Sequence, residues 1–84
     1  MSSQILDTMI HEIRKILGDD TMEIVPELVM MDIPNWDSII HMQVITRAEE
    51  IFNIRFSIEA LMSMTTIDAL VQSIKAMTPG RDSV

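Results

Sequence analysis

The sequence predicts an all-α chain, a small four-helix bundle with a long first loop and a short third helix. Two observations predict it. Apolar residues recur at helical spacing in separate stretches, each with a cap or a stop beside it. No stretch alternates apolar and polar residues as a half-buried strand does. With 84 residues there is room for one small domain, and 48% hydrophobic with only 4% aromatic residues makes its core aliphatic. Residues 1–78 read as that domain. Pro79-Gly80 ends the periodic pattern, so residues 79–84 read as a frayed tail.

The first helix is expected over residues 3–17. Ile5, Leu6, Met9, Ile13, Ile16 and Leu17 fall on one stripe, Ser2 or Ser3 is placed to cap the start, and Gly18 suits a left-handed stop. The second helix begins at Asp37 or Ser38 and ends near Phe52. Its core face is Val44, Ile45, Ala48, Ile51 and Phe52, with Ile40 at the edge and Asn53 in the C-terminal turn. Ser57 starts a short third helix through Ile58, Leu61 and Met62. Thr65-Thr66-Ile67-Asp68 resembles a capping box with Asp in place of Glu, and opens a last helix with Ile67, Leu70, Val71 and Ile74 on one face.

Between the first two helices lie residues 18–36, a connection long enough to invite a functional reading. Ile24, Val25, Leu28, Val29, Met30, Ile33 and Trp36 supply apolar groups to pack it onto the bundle, and a helical turn is expected near residues 27–30.

Thirteen acids against six bases give a net charge of −7, which argues against binding a phosphate backbone. Residues 16–46 hold Asp19, Asp20, Glu23, Glu27, Asp32 and Asp37 and no Lys or Arg. This is a solvated face on the plain reading, and a field that steers a basic partner on the sharper one. There is no cysteine, hence no disulfide and no thiolate metal site. No apolar run is long enough for a membrane span, and Met1-Ser2-Ser3-Gln4 lacks the basic start of a signal peptide; a cytoplasmic protein is expected.

The residues that invite chemistry are Asn35-Trp36-Asp37-Ser38-Ile39-Ile40. On local grounds a helix cap accounts for Asp37-Ser38, because side-chain oxygens there accept free N–H groups of the first turn. A cap leaves something over. Ile39, Met42 and Thr46 recur at i, i+3 and i+7 opposite the core stripe. Two large apolar side chains beside a serine at a helix N-terminus form a candidate contact surface. The same terminus favours a phosphate, so the hydroxyl suits a phosphodiester.

WDSIIHMQVITRAEEIFNIRFS, residues 36–57, resembles the second helix and following loop of an acyl carrier protein. The resemblance rests on Asp37-Ser38 followed by an apolar residue at a helix start, and on Glu49-Glu50-Ile51-Phe52 before Asn53-Ile54-Arg55-Phe56. Length, long first loop and final helix extend it over about residues 5–77. It implies that Ser38 carries 4′-phosphopantetheine and that Asp37 is the acid preceding it. A phosphopantetheinyl transferase would move the arm from coenzyme A, supplying Mg²⁺ and the catalytic groups. Asp37, Ile39, Met42, Thr46 and Trp36 would then face partners: that transferase, an acyl- or aminoacyl-loading ligase, and synthase or transferase enzymes. The carrier would hold acyl or aminoacyl groups as thioesters, have no catalytic or metal-binding residues of its own, and act as a monomer. Here Asn35 and Trp36 stand where many fatty-acid carriers have small residues. His41, Gln43 and Arg47 replace part of the acidic character of the second helix. These departures point to a free-standing carrier in a specialised fatty-acid or polyketide pathway rather than primary fatty-acid synthesis.

The other candidates have plainer readings. His11 and Glu12 lack a second histidine at metal spacing and are expected on the solvated side of the first helix. His41 is expected at the core edge and Trp36 as a plug over the start of the second helix. Asp19, Asp20 and Glu23 lack calcium-loop spacing. Most of the nine methionines are expected in the core, with Met42, Met30 or Met31 left for adaptable contact. The competing function is an unmodified helical interaction module. An independent enzyme is disfavoured by the lack of a convergent acid, base and nucleophile set.

Overall fold

A computed structural model describes residues 4–78. The elements are α1 (Gln4–Leu17), α2 (Ser38–Phe52), α3 (Ile58–Ser63) and α4 (Ile67–Met77), with a 3₁₀ turn at Met30–Asp32 in the first loop. The expected tail at 79–84 and the expected caps Ser2 and Ser3 lie outside the described residues.

The three apolar stripes meet in one core. Ile5, Met9 and Ile13 of α1 join Val44, Ile45, Ala48 and Phe52 of α2 and Ile67, Leu70, Val71 and Ile74 of α4. Burying each large aliphatic side chain contributes roughly 1.5–3 kcal/mol, so these stripes, not helix propensity, hold the bundle. Helix α1 packs on both α2 and α4. Its end follows from Gly18, which at φ +72° is in the left-handed region. The Gly18 N–H donates to the Lys15 carbonyl (3.2 Å) and the Asp19 N–H to the Arg14 carbonyl (3.0 Å), the paired bonds of a Schellman stop. Asn53 (φ 56°) ends α2 in the same conformation.

The long loop is tied down. The Arg14 Nε donates to the Met22 carbonyl at 2.8 Å. The Met30 N–H reaches the Thr65 carbonyl (2.9 Å), the Ile67 N–H the Leu28 carbonyl (3.0 Å) and the Asp68 N–H the Pro26 carbonyl (2.8 Å). Val29 and Thr66 form an isolated antiparallel bridge. These bonds explain a shift. The helical turn expected near residues 27–30 forms later, at Met30–Asp32, because the carbonyls of Pro26 and Leu28 serve the first turn of α4. The capping box is corrected too. Thr66 is the N-cap of α4, its hydroxyl oxygen accepting from the Ala69 N–H at 3.1 Å. The third helical position is then Ala69, which has no side chain to reach back.

Two further expectations are overturned. Glu12 is not on the solvated side. It is buried at 8% exposure and accepts from the Arg47 Nε of α2 at 3.0 Å. His11 is exposed, as expected. Nor are most methionines in the core: Met9, Met30 and Met64 are buried, while Met31, Met42, Met62 and Met77 are exposed. Met30, expected as a contact candidate, is wholly enclosed because the 3₁₀ turn points it inward and Met31 outward.

The Glu12–Arg47 pair predicts an asymmetry. Arg47 stays in contact with water, with 44% of its side chain exposed against 10% for Glu12. Removing Glu12 leaves a guanidinium that water can solvate. Removing Arg47 strands a carboxylate that water reaches poorly. Arg47→Met is therefore expected to lower the urea midpoint more than Glu12→Met. Equal midpoints would mean that the pair carries no desolvation cost.

Candidate functional site

The site is assembled by a turn and a cap. The Trp36 N–H donates to the Ile33 carbonyl at 3.1 Å across Pro34 and Asn35. Asn35 has φ 71°, so Pro34-Asn35 occupy the middle of a type II turn, Pro supplying the first angle and Asn tolerating the second. The turn sends Trp36 into the core. Its indole Nε1–H donates to His41 Nδ1 at 3.2 Å, with the rings edge to face at 6.0 Å. Trp36, read from the sequence as both plug and partner contact, stands as the plug beneath the site.

Asp37 is the N-cap of α2. Its Oδ1 accepts from the Ile40 N–H at 2.8 Å, and its carbonyl accepts from the His41 N–H at 2.8 Å. Ser38 follows as the first helical residue and is exposed. With the cap provided by Asp37, the Ser38 hydroxyl has no hydrogen-bond partner among the described residues. The backbone N–H groups of Ser38 and Ile39 have none there either. Two free donors and the positive end of the helix dipole surround one free hydroxyl, and no acid stands in the first turn of α2. This is an environment that accepts a phosphate ester.

Replacing the cap separates two roles of Asp37. Asp37→Ala is expected to cost about 0.5–2 kcal/mol, while Asp37→Asn keeps the accepting oxygen and costs much less. Thermal unfolding of both variants tests this. Equal losses would show that the charge, not the cap, is what stabilises.

Along the outer face of α2, Ile39 and Met42 are 69% and 51% exposed, and Thr46 is exposed beside them. Ile16, Met42, Gln43, Thr46, Arg47 and Glu50 line a shallow groove of about 360 Å³. A second hollow of about 550 Å³ shares Thr46 and Glu50 with it and is lined besides by Glu49, Asn53, Ile54 and Arg55. The charges of α2 are used internally. Glu49 Oε2 accepts from the Phe56 N–H at 3.0 Å. Arg47 bonds Glu12 and also Glu50, at 3.3 Å. Its pKa is held above the ordinary arginine value first by the bond to Glu12 and then by that to Glu50. The added positive charge expected at Arg47 is thus largely neutralised within the bundle.

The sequence reading missed one surface. Ile58 and Met62 of α3 are 74% and 78% exposed. The signal was there: after the Ser57 cap they stand at i and i+4, on one face of a helix too short to bury it. Asp19 serves its own loop, accepting from the Thr21 N–H (3.0 Å) and hydroxyl (2.8 Å), which hold its carboxyl below its usual pKa. No cluster of three potential metal ligands occurs among the described residues. No helix among them is long and apolar enough to cross a membrane.

No family sequence model matches the chain, and no curated protein matches it. A solved structure does: a holo acyl carrier protein from Geobacter metallireducens, with a TM-score of 0.78 and 26% identity over 86% of this chain and 83% of that one. The fold expected from the sequence, helix for helix, is acyl-carrier-protein-like.

Proposed function

We propose that this acyl-carrier-protein-like bundle carries 4′-phosphopantetheine on Ser38 and presents acyl or aminoacyl thioesters to partner enzymes. The observation that carries the reading is the free Ser38 hydroxyl at the start of α2, relieved of capping by Asp37. The similar solved structure is of a holo carrier, which supports the same group here. The arm supplies a thiol that this cysteine-free chain lacks. In the loading step the Ser38 Oγ–H gives its proton to a base of the transferase. A new Oγ–P bond forms, and the P–O bond to the nucleotide half of coenzyme A breaks. This chain's part is to hold the nucleophile exposed on a rigid helix and to offer two N–H donors to the ester. Ile39 and Met42 supply an apolar contact for the transferase and for the loading ligase or synthase that follows. Asp37 and Thr46 flank that contact.

Ile39, Met42 and Gln43 give the exposed start of α2 an apolar and neutral character. That supports a specialised carrier, cytoplasmic and monomeric, over one serving primary fatty-acid synthesis. The test is incubation with coenzyme A, Mg²⁺ and a broad-range phosphopantetheinyl transferase, followed by intact mass. One added phosphopantetheine group is expected. No gain would overturn the carrier reading and leave the interaction module.

A further inference from the structure

The outer face of α2 holds a feature that tethering alone does not use. Ser38, Met42, Thr46 and Glu50 stand four residues apart, a row that winds slowly around the helix. The groove lined by Ile16, Met42 and Thr46 follows this row, starting one turn from Ser38. The wider hollow shares Thr46 and Glu50 with it and is lined further on by Asn53 and Arg55. The two linings differ in kind. Near the serine, Ile16 and Met42 offer apolar surface. At the far end Ile54 is the one large apolar side chain among Thr46, Glu49, Glu50, Asn53 and Arg55.

Length decides what fits. At 1.5 Å per residue, Ser38 to Glu50 is about 18 Å along the helix. An extended phosphopantetheine arm spans roughly the same distance from standard bond lengths. From this match of length, starting point and lining, we infer that the strip on α2 is the resting berth of the arm. Its dimethyl segment lies against Met42 and Ile16, and its thiol end reaches Thr46 and Glu50, at the edge of the hollow that Asn53 and Arg55 also line. The lining at that end selects a short, polar cargo over a long alkyl chain, since an alkyl chain there would desolvate Glu49, Asn53 and Arg55 without replacing their hydrogen bonds.

This inference rests on Ser38 being the attachment point, so the experiment first confirms loading by intact mass; failure at that stage counts against the carrier reading alone. With loaded protein in hand, ¹H–¹⁵N spectra of the apo and holo forms are compared. Shift changes are expected at Met42, Gln43 and Thr46 and around residues 49–55, beyond those next to Ser38. Because the chain has no cysteine, a nitroxide can be placed on the arm's thiol alone. It is expected to broaden the amides of Asn53, Ile54 and Arg55. In Gln43→Trp, verified by mass as loaded, a bulky side chain fills the narrow part and both effects should vanish. Changes confined to the first turn of α2, or broadening centred on Ile58 and Met62 of α3, would overturn the berth. A larger thermal shift from an octanoyl than from a glycyl thioester would overturn the polar-cargo selection.

Discussion

Ser38→Ala is expected to abolish the gain of one phosphopantetheine group completely while leaving the fold intact. The effect is all-or-none because a covalent bond needs its oxygen, whereas the stability effect is small because that oxygen bonds nothing. Substituting an exposed side chain without partners usually changes stability by no more than about 0.5 kcal/mol. The thermal midpoint of Ser38→Ala should therefore coincide with that of the unsubstituted protein. Two other serines sharpen the contrast. The Ser57 hydroxyl oxygen accepts from the Ala60 N–H at 3.1 Å as the cap of α3, and the Ser63 hydroxyl donates to the Ala60 carbonyl at 3.1 Å. Ser57→Ala should cost about 0.5–2 kcal/mol as a lost cap and still accept the group. The two variants thus invert: one loses loading and keeps stability, the other loses stability and keeps loading. A mass gain that survives in Ser38→Ala would move the attachment point elsewhere.

The question raised by Asp37-Ser38, cap or attachment, has a divided answer that the sequence alone left open. Both residues have capping oxygens, and they are adjacent. Which one caps depends on where the backbone turns helical, and that is set upstream by the Pro34-Asn35 turn. The helical stripes were legible because burial on one side of a helix imposes a period that survives in any single sequence. Gly18 and Asn53 were legible as stops because few residues accept a left-handed backbone. What stayed hidden is non-local. Glu12 and Arg47 lie 35 positions apart, and nothing local to either predicts the other. The register of the long loop depends on carbonyls of Pro26, Leu28 and Thr65 finding donors across the bundle. The outer groove exists only once Ile16 of α1 is placed beside Met42. The expectation of a solvated Glu12 failed for a general reason: helical projection assigns a face, but a second helix at the rim of the core widens what counts as buried.

The adjacent methionines of the first loop provide the second large effect. Met30 is fully buried and Met31 is 55% exposed, although the sequence offers no reason to rank them. The difference comes from the 3₁₀ turn, in which successive side chains point about a third of a turn apart. The Met30 N–H is also held by the Thr65 carbonyl at 2.9 Å, so the loop cannot rotate to exchange the two. Truncating Met30 to alanine leaves a cavity that the tied loop cannot collapse into, and is expected to cost about 2–5 kcal/mol. For a domain of this size, whose whole stability is about 4–13 kcal/mol at the usual ~0.05–0.15 per residue, that is a large fraction. Met31→Ala is expected to stay within about 0.5 kcal/mol. Urea unfolding of the two variants, fitted with a common slope, measures both. Similar losses would mean that the loop is not seated as described, and the orientation of the Trp36 plug and of the first turn of α2 would then lose its support. A cost confined to Met30 would instead show that the surface presented around Ser38 is anchored from below, by a core that includes the loop as well as the helices.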